Sequence, residues 1–118
     1  MLSTTKTKIS LPDARLDAVF RALGDRTRRA LLARLAHGPA MVTELAEPFR
    51  MSLPAVSRHI RVLEKARLVA RSVDGRMHRC ALRAEPLQGA QQWLNHYRHF
   101  WEGTLGSLAC YAEHGKHE

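Results

Sequence analysis

The chain has 118 residues, 45% of them hydrophobic, and a formal net charge of +8. That length supports one domain with its own core, and that apolar fraction excludes a chain disordered by composition. The only cysteines, Cys80 and Cys110, lie far apart, and no apolar run approaches the ~20 residues needed to cross a bilayer, so a cytoplasmic protein without a disulfide framework is expected.

Residues 1–12 read as a polar tail with no signal-peptide apolar run, residues 13–113 as one domain, and residues 114–118 as a second tail. After Pro12, Asp13 opens a helix with Leu16, Val19, Phe20 and Leu23 at helical spacing, and Gly24 ends it. Asp25 caps a second helix whose apolar line is Thr27, Leu31, Leu32 and Leu35; His37, Gly38 and Pro39 stop it. Thr43 is placed to cap a short third helix, with Leu45, Ala46 and Phe49 facing inward.

A fourth helix starts at Ser52 and runs to Lys65. Leu53, Val56, Ile60 and Leu63 form one apolar stripe, while Pro54, Ser57, Arg58, Arg61 and Lys65 fall on the opposite side. Pro54 sits in the first turn, where a missing N–H costs nothing. A short helix, a tight turn and a capped second helix make a helix-turn-helix pattern, and a helix with small and basic residues outward suits a DNA major groove. Between Arg50 and Arg83 nine Lys or Arg stand against two acids, Glu64 and Asp74, a surplus of seven out of the chain's eight. Charge concentrated this way points to nucleic acid rather than to an acidic membrane, because the segment has the pattern of a folded core and not of a lipid-facing stripe.

After Leu68 the period changes. Val69–Val73 and Arg76–Leu82 flank Asp74-Gly75, a hairpin turn signal, and read as a two-stranded wing that must lean on the helices. Arg76 stands at its tip, with Arg71, His78 and Arg79 along its strands. Pro86 then opens a long helical segment in which Leu87, Ala90, Leu94, Tyr97, Trp101, Leu105, Leu108 and Ala112 recur at spacings of three and four. Gly89, Gly103 and Gly106 each cost ~1 kcal/mol against alanine there, so packing must offset them or the helix breaks near Gly103. The expected fold is mainly α with a small β-hairpin wing: a winged helix-turn-helix of five helices. The last segment carries more apolar surface than one copy needs, so Leu16, Phe20, Leu94, Tyr97, Trp101, Leu105 and Leu108 are expected to join two copies; wrapping its own domain is the alternative.

Leu23-Gly24-Asp25-Arg26-Thr27-Arg28, Ser52-Leu53-Pro54-Ala55-Val56-Ser57-Arg58-His59-Ile60, Leu63-Glu64-Lys65-Ala66-Arg67-Leu68-Val69 and Asp74-Gly75-Arg76 together resemble the ArsR-type (ArsR/SmtB-like) family of winged helix-turn-helix repressors, over roughly Asp13 to Tyr111. The resemblance implies a homodimeric transcriptional regulator that binds a palindromic operator in double-stranded DNA, often near its own gene. Two positions depart from the pattern: a proline is usual where Arg26 sits and a glycine where Arg67 sits. Either Arg67 holds a left-handed conformation at a cost, or the turn differs.

The family's metal sensors imply two ligand positions. The thiolate pair of the third helix has no counterpart in Glu44-Leu45-Ala46-Glu47-Pro48-Phe49, which excludes soft-metal binding there. The terminal-helix site corresponds to Tyr97, His99, Cys110 and Glu113; Tyr97 is a poor zinc ligand, so no cofactor is expected. A zinc-responsive repressor using His99, Cys110 and Glu113 is the alternative.

Among the DNA contacts, Ser57 and Arg58 are expected to read base edges, with Arg58 taking guanine O6 and N7. Pro54 and Ala55 offer apolar contact to thymine methyls, and Arg61 shares their face. Ser52 is a cap that also reaches phosphate, and Arg28 holds phosphate or is an exposed helix arginine. His59 is either a packed ring or a phosphate donor. Arg76 follows the backbone or enters a minor groove, His78 is a wing contact, and Arg71 and Arg79 are wing contacts or generic surface charge. No enzyme is expected: Ser57 and His59 are two apart on a helix and do not face each other, and no glycine-rich phosphate loop exists. A winged-helix protein-interaction module is a further alternative, but it needs no basic outer face on its second helix.

Overall fold

The computed structural model describes residues 11–102. Helix α1 (Asp13–Leu23) and helix α2 (Arg26–Leu35) are joined by Gly24 and Asp25, and the Asp25 carboxylate accepts from the Arg28 backbone N–H at 3.1 Å, the cap expected of it. Strand β1 (Ala40–Met41) leads into helix α3 (Val42–Ala46), and helix α4 (Leu53–Lys65) follows a short connection. Ser52 caps α4, its hydroxyl accepting from the Ala55 N–H at 3.3 Å. Strands β2 (Val69–Asp74) and β3 (Met77–Leu82) form the wing, and helices α5 (Glu85–Asn95) and α6 (Arg98–Phe100) close the described chain.

Side chains from every layer meet in one core. Val19 and Ala22 of α1, Leu31 and Leu35 of α2, Leu45 of α3, Val56, Ile60 and Leu63 of α4, and Cys80 of β3 are all buried. Among the described residues no helix is long and apolar enough to cross a membrane.

Several elements differ from the sequence reading. The sheet has three strands in the order β1-β3-β2: Ala40 and Met41 pair antiparallel with Cys80 and Arg79, and β3 is central. A two-residue strand is too short to show a period, which is why it was not read. Helix α3 begins at Val42 rather than after a Thr43 cap, and the Glu44 carboxylate takes the Met41 N–H at 2.7 Å. Phe49 lies past the end of α3 yet still packs against the core. The wing turn is Gly75-Arg76, not Asp74-Gly75, because Asp74 pairs with Met77; Gly75 has φ +66, the left-handed conformation that a II′ hairpin places at its first turn residue.

Leu53 is 48% exposed, unlike its stripe mates Val56, Ile60 and Leu63. It is the first helical residue and lies at the edge of that stripe, roughly 50° from its centre. The last helix is not continuous. The His96 ring donates from Nδ1 to the Trp93 carbonyl at 3.0 Å, and the Tyr97 N–H turns instead to Leu94 O at 2.9 Å. That tightened turn ends α5 at Asn95 and separates it from the short α6, a sixth helix beyond the five expected. Gly103, Gly106, Leu105, Leu108, Cys110 and Glu113 lie outside the described residues.

Arg67 has φ +62. Its N–H bonds Glu64 O at 2.9 Å while the Leu68 N–H reaches Leu63 O at 2.9 Å, the paired bonds of a Schellman termination. Buried Leu63 and Leu68 supply the apolar contact that accompanies this ending. The turn is therefore the usual one, and an arginine occupies the left-handed position that glycine fills more cheaply.

Candidate nucleic-acid interface

The outward face of α4 is built by exclusion. Once Val56, Ile60 and Leu63 are inside, helical spacing turns Pro54, Arg58, Arg61 and Lys65 to solvent, and all four are exposed. Ala55 and Ser57 are half-buried beside them, and the Ser52 hydroxyl is committed to the cap. Among the described residues, the side chains of Arg58, Arg61, Lys65, Arg76 and Arg79 take part in no hydrogen bond or ion pair. The unneutralised Arg58, Arg61 and Lys65 make the outward side of α4 an anion-seeking surface.

Two arginines assigned to DNA in the sequence reading are engaged inside the chain instead. Arg28 donates from Nε to Ala22 O at 2.8 Å and from NH2 to Arg21 O at 2.9 Å, and its NH1 lies 3.1 Å from His59 Nδ1. It thereby closes the carbonyl end of α1 and links that end to α4. Because a guanidinium can only donate, His59 Nδ1 accepts and the ring carries its proton on Nε2. His59 is thus a packed ring on the flank of α4, with its Nδ1 also 3.8 Å from Asp25 Oδ2. The Arg28 backbone N–H holds the Asp25 carboxyl below the usual carboxylate range against a desolvation cost, and the Arg28 guanidinium adds to the lowering.

Arg71 joins the wing to α4. Its NH2 donates to Glu64 Oε1 at 3.0 Å and its NH1 lies 3.3 Å from His78 Nδ1, with only 16% of the side chain exposed. Its buried Nε has no partner among the described residues. Arg71 and His78 therefore brace β2 and β3 against α4, while Arg76 and Arg79 remain exposed. Cys80, under the central strand, is fully buried, and desolvation pushes its thiol up, so it behaves as a small apolar group.

Between the start of α4 and the wing lies a cleft of about 490 Å³, lined by Met41, Val42, Thr43, Leu53, Pro54, Ser57, Arg71, Arg76, Met77 and His78. Neither the cleft nor the exposure of Leu53 was visible in the sequence. On the other side of the molecule Phe20 of α1 meets Trp93 of α5 edge to face, with ring centroids 5.5 Å apart. Trp93 continues to Tyr97 at 5.0 Å, and Trp93, Leu94, Tyr97, Phe100 and Trp101 are all exposed, whereas Leu16 and Phe20 are half-buried against the core.

A capped, cation-faced helix following a short helix and flanked by a braced hairpin defines a winged helix-turn-helix protein. Comparison with known proteins agrees. A helix-turn-helix domain model matches residues 23–71. The chain is 30% identical over 79 residues to the transcriptional repressor SdpR of Bacillus subtilis, covering 67% of this chain and 88% of that protein. It is 57% identical over 53 residues to the HTH-type transcriptional regulator Rv2034 of Mycobacterium tuberculosis, covering 45% of this chain and 50% of that one, so this match spans half of that relative's length. The crystal structure of the ArsR family transcriptional regulator RHA00566 is 41% identical with a TM-score of 0.73, over 79% of this chain and 96% of that chain. The chain belongs to the ArsR-type family of winged helix-turn-helix transcriptional regulators.

Proposed function

We propose that the protein is a homodimeric, sequence-specific DNA-binding repressor that works by occupying promoter DNA. The observation that carries this reading is the outward face of α4, where Arg58 and Arg61 stand exposed and unpaired among the described residues next to small Pro54, Ala55 and Ser57. The N-terminal turns of α4 enter the major groove, Ser57 and Arg58 contact base edges, and Pro54 and Ala55 lie against thymine methyls. Arg61 and Arg76 hold phosphates or, for Arg76, the adjacent minor groove. Arg28, His59, Arg71 and His78 act one step back, fixing α4 against α1 and against the wing.

Two copies join through the aromatic surface of Phe20, Trp93, Leu94, Tyr97 and Trp101, a patch of a kind that seldom stays exposed on a monomer. A two-fold pair sets two α4 helices about 34 Å apart, one turn of duplex, which calls for a palindromic operator. A cytoplasmic location accompanies this role.

The test is selection of bound duplexes from random DNA, followed by fluorescence anisotropy on the selected site across salt concentrations and sedimentation of the free protein. The expected result is a palindromic site, affinity that falls steeply with salt by about 0.9 in log–log slope for each phosphate contact, and a dimer at micromolar concentration. No selected site and no preference for duplex DNA would overturn the reading, and a monomer would remove the palindrome from it.

A further inference from the structure

The cleft between α4 and the wing carries two large apolar side chains that the core does not use. Leu53 is 48% exposed and Met77 is 53% exposed, and both line the same opening together with Pro54, Ser57, Arg76 and His78. Exposed leucine or methionine needs no explanation when it is scattered over a surface. Here the two share one cleft, at the first residue of the helix and the first residue of β3. Exposed Arg76 stands on its rim. Apolar walls under a cationic rim match a groove edge of duplex DNA, where anionic phosphates border methyl groups and sugars.

We propose that Leu53 is a base-reading residue: its side chain packs on the C5-methyl group of one thymine in each half-site, with Met77 forming the facing wall of that apolar socket. This rests on the reading of α4 as the major-groove helix, and it deepens it. The thymine methyl projects only into the major groove, and residues at the N-terminus of a recognition helix are the ones that reach base edges. A leucine in that place buries a methyl far more completely than Pro54 or Ala55, and it would otherwise present its apolar surface to water among cations. The cleft narrows the choice of contact, because Leu53 and Ser57 of α4 and Met77 of β3 line the same opening.

The experiment replaces thymines one at a time by deoxyuridine in the selected operator, which deletes the methyl and keeps the Watson–Crick pair. Anisotropy is then measured for wild type, Leu53→Ala and Met77→Ala. Burial of one methyl corresponds to about a fourfold change in affinity per half-site. Wild type is expected to lose that factor at one symmetric thymine position, and Leu53→Ala is expected to be weaker on the thymine duplex and indifferent to the replacement. Met77→Ala should show a reduced but non-zero response. Because both side chains are exposed, the variants are expected to fold, and circular dichroism checks this. Indifference of wild type at every thymine overturns the proposal. So does an equal loss in wild type and Leu53→Ala at every thymine that responds, which would assign all the methyls to other side chains. Failure of wild type to bind any duplex is a separate result that removes the repressor reading itself.

Discussion

Replacing Arg28 by alanine separates a structural clamp from a phosphate contact. The side chain makes two hydrogen bonds to the final carbonyls of α1, at 2.8 and 2.9 Å, and a third contact at 3.1 Å to His59 of α4. A hydrogen bond from a charged donor contributes about 1.5–3 kcal/mol when protected and less when solvated. The bond to Arg21 O is exposed and counts for little, whereas those to Ala22 O and His59 are partly buried. Arg28→Ala should therefore cost about 2–3 kcal/mol, because Ala22 O and the His59 ring each lose a partner. In urea, at a slope of about 1–2 kcal/mol per molar, that moves the unfolding midpoint down by about 1–3 M at equal protein concentration. Arg28→Lys should fall between, since one ammonium cannot span three acceptors. On DNA the salt slope should stay unchanged once the protein is folded. A stability loss below about 0.5 kcal/mol, together with a fall in the salt slope of about 0.9 for each copy bound, would refute the clamp and restore Arg28 to the phosphate backbone.

Arg58→Ala should cost about 1–3 kcal/mol of operator affinity and relax sequence choice at one position, whereas Arg76→Ala should weaken all duplexes alike; competition with single-base variants distinguishes them. Asp25→Ala should remove about 1 kcal/mol of cap stability at pH 7. The folded-state carboxyl sits below its ordinary value, so this contribution is present above about pH 4 and fades as pH falls through the lowered titration; unfolding of both proteins at several pH values should show their difference shrinking in acid. Arg67→Gly should stabilise by about 1 kcal/mol, because glycine accepts φ +62 without the clash that a Cβ brings; a lower melting temperature would contradict the strain assigned there.

The elements with strong period or explicit punctuation were legible in the sequence. The Asp25 and Ser52 caps, the buried line of α4 and the wing all follow from residues whose local chemistry permits few alternatives. What escaped depended on neighbours. Whether Leu53 is covered depends on what lies beyond the first turn of α4, and a helical wheel has no end effects. The interruption at His96 arises from one ring nitrogen taking a carbonyl, which no periodicity records. The internal bonds of Arg28 and Arg71, both expected at DNA, escape the sequence because an arginine's partners are set by tertiary geometry and not by its sequence context. For the candidate site, charge and small residues on α4 were legible, and the cleft beside it was not, since its walls come from segments far apart in the chain.

The Glu64–Arg71–His78 link has an implication for signalling. An ion pair and a ring contact that tie α4, β2 and β3 together oppose bending between the helix and the hairpin. If two copies pair as proposed, a stimulus that weakens DNA binding while this link stays intact would act on the spacing between them.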